Sequence, residues 1–330
     1  MPKPDNIVDL VKALRDALSR ADEKALNQII TAYGDMYKRL LPRIDALALE
    51  ISTLENPTRA QIAKLTRYKT LISEIQRELN TYSGYAETVM RQSSSTAIKY
   101  GIVDAKSMVL VQNPGLAATW KTLNPRAIES LIGYLQEGSP LMNRIRELAP
   151  KTASGVANMI LDRVAFGANP KTIAAEIIRD VTKGIGIGLT DALRMTRTVQ
   201  LYSYREANRA SYVANSDVVQ GWIWVSVLAT ETCAACMALH GTEHGVDETL
   251  DDHYNGECYA VPKVIGGRND YSGQGEAYFN SLSEAEQKNV VGNSTWELLN
   301  NGDIAFNDLV THRDDEVYGS MIGVTPYKDL

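Results

Sequence analysis

Cys233-Ala-Ala-Cys236-Met-Ala-Leu-His240-Gly-Thr242, an acidic loop, and then Asp252-His253-Tyr-Asn-Gly-Glu-Cys258-Tyr-Ala-Val-Pro262 decide how this chain is read. All three cysteines lie in this stretch, with three of the four histidines (His240, His244 and His253). Cys233-x-x-Cys236 followed by His253-x4-Cys258 offers three sulfurs and one imidazole, a set that zinc takes tetrahedrally. Four protein ligands leave no open position for water, so the spacing points to a structural site rather than a hydrolytic one. Two other readings stay open: three reduced, unliganded thiols, and a redox CxxC. The redox motif opens a helix after a strand in a thioredoxin-like unit, and no such unit is visible in the sequence.

The flanks suggest a small lobe around the site. Val218 to Leu228, rich in Val and Trp, predicts a strand that delivers the chain to Cys233. Val261-Pro-Lys-Val-Ile265 predicts a second strand leaving it, so that a metal would clip two strands together. Trp222 and Trp224 share one strand face and are expected in the lobe's core. Beyond Gly266-Gly267, Ser283 with Glu286 three residues on predicts a capped helix start. Trp296, Leu298, Leu299 and Leu309 supply the remaining apolar surface, and residues 320–330 are expected to be a tail.

Upstream the pattern is helical. Residues 5–20 form an amphipathic helix, and a second begins near Asp22 with a seam of Leu26, Ile30, Tyr33, Tyr37, Leu40, Ile44, Leu47, Ile51 and Leu54. Pro42 is expected to bend it. Asn56-Pro57 then caps a helix with the seam Leu65, Tyr68, Ile72, Ile75, Leu79, Tyr82, Ala86 and Val89. Matching seams and a short loop predict an antiparallel helical hairpin, either a protruding arm or part of a bundle. Ser93-Ser-Ser95 and Gly101 are expected to loosen its end. Shorter helices follow, with Asn124-Pro125, Ser139-Pro140 and Gly167-Ala-Asn-Pro170 as starts. Lys183-Gly-Ile-Gly-Ile-Gly-Leu-Thr190 reads as a turn, without the Gly-Lys-Ser/Thr of a phosphate loop or the preceding strand of a dinucleotide fold. Thr190 is then expected to cap a helix to Ala214. The predicted fold is mainly α: a helical arm (1–110), a helical middle domain (111–215), and a small α+β lobe (216–330) clipped by a zinc site.

The net charge of −6 hides an asymmetry. Residues 216–330 hold 19 acidic and 5 basic side chains, a net of 5 − 19 = −14, and residues 1–215 hold 21 and 29, a net of 29 − 21 = +8. Opposite signs imply different neighbours. Arg194, Arg197, Arg205 and Arg209 fall on one helical face that could meet phosphate, double-stranded DNA included, or pair with carboxylates of the chain itself. Clustered, odd-numbered cysteines suit a reducing compartment. The start of the chain has no signal-peptide pattern, and no run of about 18 apolar residues predicts a membrane span.

The site also carries a resemblance. Thr232-Cys-x-x-Cys-x-x-Leu-x-Gly-Thr242, a loop, and His253-x4-Cys258-x3-Pro262 resemble the signature of phage head-morphogenesis proteins, the SPP1-type minor head proteins and the F proteins of Mu-like phages. Gly167-Ala-Asn-Pro170, Met195-Thr-Arg-Thr198, Gly221-Trp-Ile-Trp224, Glu276-Ala-Tyr-Phe279, Leu282-Ser-Glu-Ala-Glu-Gln287, Gly292, Gly302-Asp-Ile304 and Asp308-Leu-Val310 extend the likeness over about residues 150–320. The chain departs from the pattern at two points: Tyr254 replaces a proline, and Gly256 stands where the family has a further cysteine. The resemblance implies a non-enzymatic minor capsid protein of the phage head, present in the virion and, during assembly, in the host cytoplasm. Its expected partners are the portal and other capsid proteins, and double-stranded DNA, with no membrane and no small-molecule substrate. Two alternatives come from the residues. Asp252-His253 after a CxxC suggests a zinc-containing endonuclease of the His-Asn-His type, although a second CxxC is lacking and the other histidine, His312, is distant. A cellular coiled-coil adaptor with a zinc lobe also fits the helices.

Overall fold

The computed structural model describes residues 7–55, 57–132, 136–165, 170–267, 271–316 and 319–330. The fold is mainly α, with a small sheet region toward the C-terminus. The helices are α1 (Ile7–Ser52), α2 (Arg59–Lys64), α3 (Thr66–Gln112), α4 (Pro125–Leu131), α5 (Pro140–Ala165), α6 (Pro170–Ala214), α7 (Ala234–Leu239), α8 (Gln274–Ser281), α9 (Glu284–Val291) and α10 (Asn293–Asn301). The strands are β1 (Val219–Val225), β2 (Glu243–His244), β3 (Tyr259–Val264), β4 (Val310–Asp315) and β5 (Gly319–Val324). Contacts divide the chain into two units. One comprises Met1–Ala21, Ser94–Gly133 and Thr198–Leu330; the other comprises Asp22–Ser93 and Tyr134–Arg197. This differs from three domains in sequence order, because the boundaries fall inside α1, α3 and α6, each of which runs past its expected end.

In the unit of Asp22–Ser93 and Tyr134–Arg197, the expected antiparallel hairpin forms between α1 and α3. Arg39 bonds Glu78 at 2.8 Å, Arg43 pairs with Glu74, and Arg67 meets Glu50 at 3.2 Å. Position rises on one helix as it falls on the other. From Leu40 onward the buried seam is the expected one, Leu40, Ile44, Leu47 and Ile51. Before it the seam shifts by a residue: Ile29 and Met36 are buried and Ile30 is exposed. Pro42 does not end α1. It stands on the exposed face, where the carbonyl it leaves unbonded, that of Lys38, faces water, and Arg43 donates to the next one, Arg39 O, at 3.3 Å. The helix start expected at Asn56-Pro57 falls at Thr58 instead, which caps α2 with Gln61 in a capping box.

Residues 183–190, expected to be a turn, are helical within α6, and Thr190 bonds back to Gly186 O rather than capping a new start. Packing favours this at Gly184, where a Cβ would lie 3.2 Å from Met159 and Val156, so that glycine lets α5 approach α6 closely. The start at Gly167-Ala-Asn lies outside the described residues, whereas the starts at Asn124 and Ser139 form as expected, their side chains accepting from Arg126 N and Met142 N.

In the other unit, Ser93–Ser95 and Gly101 do not loosen α3. Ser94 Oγ meets Ser203 Oγ at 2.6 Å, and a Cβ on Gly101 would lie 2.5 Å from Tyr204 O, so α3 and α6 cross here at close range. The sheet has the order β2-β1-β3, all antiparallel, with Trp222 opposite both His244 and Pro262 and Val225 opposite Tyr259. Trp222 and Trp224 are buried in its core with Tyr204, Tyr212 and Tyr259. A second core of Ala234, Met237, Phe279, Phe306 and Leu309 packs α7 against the C-terminal helices, and Ser283 caps α9 as expected. The expected tail is instead ordered: β5 pairs with β4 along its length. Among the described residues, no helix is long and apolar enough to cross a membrane.

Two predictions test this packing. Gly101→Ala should lower stability by about 1–3 kcal/mol, since its methyl has nowhere to go. Gly155→Ala, which meets nothing within 4 Å on an exposed face of α5, should raise it by about 1 kcal/mol. Denaturant midpoints measure both. Asp104, on α3, gives a pH signature: burial pushes its carboxyl from 3.8 up to about 7, only partly offset by the neighbouring Tyr204 hydroxyl. The folded form therefore holds this proton more tightly than the unfolded chain, so the contribution is fully present below pH 3.8 and lost as pH rises through about 7. Asp104→Asn should thus be more stable than the parent at pH 8, with the difference shrinking toward pH 4.

Candidate metal centre

The candidate ligand side chains arrive from two chain segments, one between β1 and β2 and the other between β2 and β3. Beyond β1, Cys233 becomes the N-cap of α7, its sulfur accepting from Cys236 N at 3.4 Å. The CxxC therefore does open a short helix after a strand, but beside an antiparallel sheet and not within a thioredoxin-like unit. Small residues bury this helix on several sides: Ala235 and Cys236 belong to the sheet's core, and Ala234, Met237 and Ala238 to the second core. Because Val225 faces Tyr259 in the ladder, the next residues on each strand, Ser226 and Cys258, also come together, with Cys258 Sγ 3.5 Å from Ser226 Oγ.

The expected ligands converge. His253 Nε2 lies 3.3 Å from both Cys233 Sγ and Cys236 Sγ. Cys233, Cys236 and His253 form one group whose ligand atoms lie within 4.8 Å of each other; Cys236, Asp252 and Cys258 form another, sharing Cys236. Together Cys233, Cys236, His253 and Cys258 make a compact group that could hold a metal ion. The donor chemistry fits a thiophilic ion: three sulfurs, and an imidazole whose Nδ1 is 2.9 Å from Tyr254 O, leaving Nε2 facing the thiols. The Cys233 thiol is drawn down to about 4 by the hydrogen bond from Cys236 and then by His253, while Cys236 is pushed up by sharing its proton with Cys233 and Cys258. His253 is raised to about 9, chiefly by its bond to Cys233. These shifts favour a Cys233 thiolate beside a protonated His253, and a bound cation would displace the imidazole's proton.

The other two local histidines are used elsewhere. His240 is buried, its Nδ1 accepts from Ser226 N at 3.0 Å, and burial lowers its pKa, so it stays neutral. His244 stacks on Trp222 at 4.1 Å and lies between Thr242 and Glu248.

Asp252, noted in the sequence only as half of an endonuclease-like Asp-His pair, takes part in the site in another way. Its side chain is fully buried and accepts from His253 N at 2.9 Å and Cys258 N at 3.1 Å. Its charge partner is Arg205, at 2.7 Å. This places one of the four candidate contact arginines inside the protein, with a side chain 12% exposed. The other three are more open and also paired: Arg194 with Asp191, Arg197 with Asp22 at 2.7 Å, and Arg209 with Glu206 at 2.5 Å. The face read from the sequence as basic is therefore largely neutralised by carboxylates of the chain itself, the second of the two readings weighed for it.

No protein-family model, curated protein or solved structure matches the chain.

Cys236 belongs to both ligand groups, so Cys236→Ser should lose a bound divalent metal, measured by elemental analysis of the purified protein. His240→Ala, which removes no ligand, should retain it.

Proposed function

We propose that this chain is a non-enzymatic assembly protein whose C-terminal lobe is clipped by one structural zinc held by Cys233, Cys236, His253 and Cys258. The observation that carries the reading is the convergence of these donors within a buried, hydrogen-bonded loop. Zinc bound there would supply cross-linking between the α7 segment and the loop before β3, and its binding energy would be folding energy of the lobe. Three thiolates favour zinc over the harder ions that a phosphate-cleaving site employs.

The order of motifs from Gly167 to Val310 supports placing this assembly role in a phage head, as a minor head protein acting beside the portal, in the virion and in the host cytoplasm during assembly. The antiparallel hairpin of α1 and α3 offers an extended surface for the portal or other capsid proteins. Double-stranded DNA is a further proposed partner, through Arg194, Arg197 and Arg209 rather than the buried Arg205. An endonuclease has less support: the Asp252 carboxylate is already engaged by Arg205 and by two backbone N–H groups.

The tests are direct. The purified chain should carry about one zinc, the number one tetrahedral set holds, and should not nick plasmid with Mg²⁺ or Mn²⁺. Nicking that disappears in His253→Ala would replace this reading with the endonuclease. Co-expression with the portal of the same genome should yield a complex that is lost on deleting residues 22–90. Absence of any complex, together with normal heads from a genome lacking the gene, would end the phage reading.

A further inference from the structure

Arg205 is drawn out of α6 toward a loop far away in sequence. One guanidinium nitrogen, Nη2, lies 2.7 Å from Asp252 Oδ2, 2.7 Å from Gly256 O and 3.1 Å from Cys258 O. Asp252 in turn accepts from the backbone N–H groups of His253 and Cys258, the two ligands that the loop supplies. The loop closes around this carboxylate. Asn255 adopts a left-handed φ of 56°, Gly256 N donates to His253 O at 3.0 Å, and a Cβ on Gly256 would lie 2.1 Å from Asp252 Oδ2. A side chain at 256 and the carboxylate at 252 therefore exclude each other.

None of these bonds involves a metal. Arg205 carries its charge at any relevant pH, and its Nη2 alone reaches one carboxylate and two carbonyls. Asp252 Oδ1 does lie 3.6 Å from Cys236 Sγ, close enough to compete as a ligand. Its other oxygen is held by Arg205.

We propose that Arg205 and Asp252 form a metal-independent latch that preassembles residues 252–258, presenting His253 and Cys258 to the ion and keeping the Asp252 carboxylate out of its coordination shell. The latch rests on the metal reading given above, but the loop's own order does not. Asp252 and Arg205 are positioning residues, and half of the site stands built before any metal arrives. Outer partners of this kind typically change metal affinity by about 10- to 100-fold.

Two measurements on the full chain test it. The first needs no variant. In protein stripped with chelator, amide hydrogen exchange at His253 and Cys258 should remain slow, while the 228–236 segment, which lacks the latch, exchanges faster than in the metal-loaded form. Exchange at His253 and Cys258 as fast as in an unfolded peptide would overturn the latch, since the metal would then be building the loop. The second compares Asp252→Asn and Arg205→Gln with the parent, using Zn²⁺ competition against a chromophoric chelator and the absorption of the Co²⁺ form. Affinity should fall by about 10- to 100-fold in each, with the thiolate-to-cobalt bands unchanged in Asp252→Asn. Altered bands in Asp252→Asn would make Asp252 a ligand and sink the proposal, as would unchanged affinity in both variants. Should either variant fail to fold by circular dichroism, the exchange result on the parent decides alone. If the parent binds neither Zn²⁺ nor Co²⁺, the zinc reading fails, and slow exchange at His253 and Cys258 would still establish the latch as a purely structural device.

Discussion

A guanidinium and a carboxylate withdrawn from water govern the C-terminal lobe. Exposed, such a pair would contribute little. Here Asp252 is fully buried and Arg205 nearly so, and removing either partner would strand the other's charge at a cost of about 3–5 kcal/mol. The desolvation is tolerable because the lone pairs are used: Asp252 takes two backbone N–H groups besides the arginine, and Arg205 takes two carbonyls besides the aspartate. The sheet, the CxxC helix and the loop before β3 thus meet at one satisfied polar core, set beside the apolar cluster of Trp222, Trp224, Tyr204 and Tyr259.

Ion pairing also explains how a chain with such uneven charge remains internally consistent. The acidic C-terminal part is not repelled from α6. Arg205 and Arg209 on that helix face Asp252 and the Asp247 carbonyl, and Arg15 on α1 reaches Glu257. Charge asymmetry read along a sequence says which segments can attract each other as readily as it says which partners lie outside.

What was legible in the sequence was what local chemistry dictates. The strand into Cys233, the strand out of Cys258, the caps at Asn124, Ser139 and Ser283, and the choice of His253 over His240 and His244 follow from residue type and spacing. What was not legible depended on distant neighbours. Gly101 and Gly184 read as breakers and are close-packing positions, because nothing local shows that Tyr204 or Met159 will press against them. Asp252 reads, with His253, as the hint of an endonuclease, and only the fold supplies Arg205. The β5 strand was hidden because Gly319-Ser-Met-Ile-Gly-Val324 is short and glycine-flanked, and its partner fixes it: Ile322 N donates to Asp251 O at 2.7 Å, which ties the chain's end to the ligand loop.

The glycine run of α6 has a bearing on where that helix opens. Each glycine weakens an isolated helix by about 1 kcal/mol relative to alanine, and Gly184, Gly186 and Gly188 lie within five residues. That stretch is the weakest part of α6 as an isolated helix, and the contact of Met159 and Val156 with Gly184 is where α5 supports it. Of all α6, this is the segment whose helicity leans most on tertiary packing, and so the segment in which opening should begin if α5 is displaced.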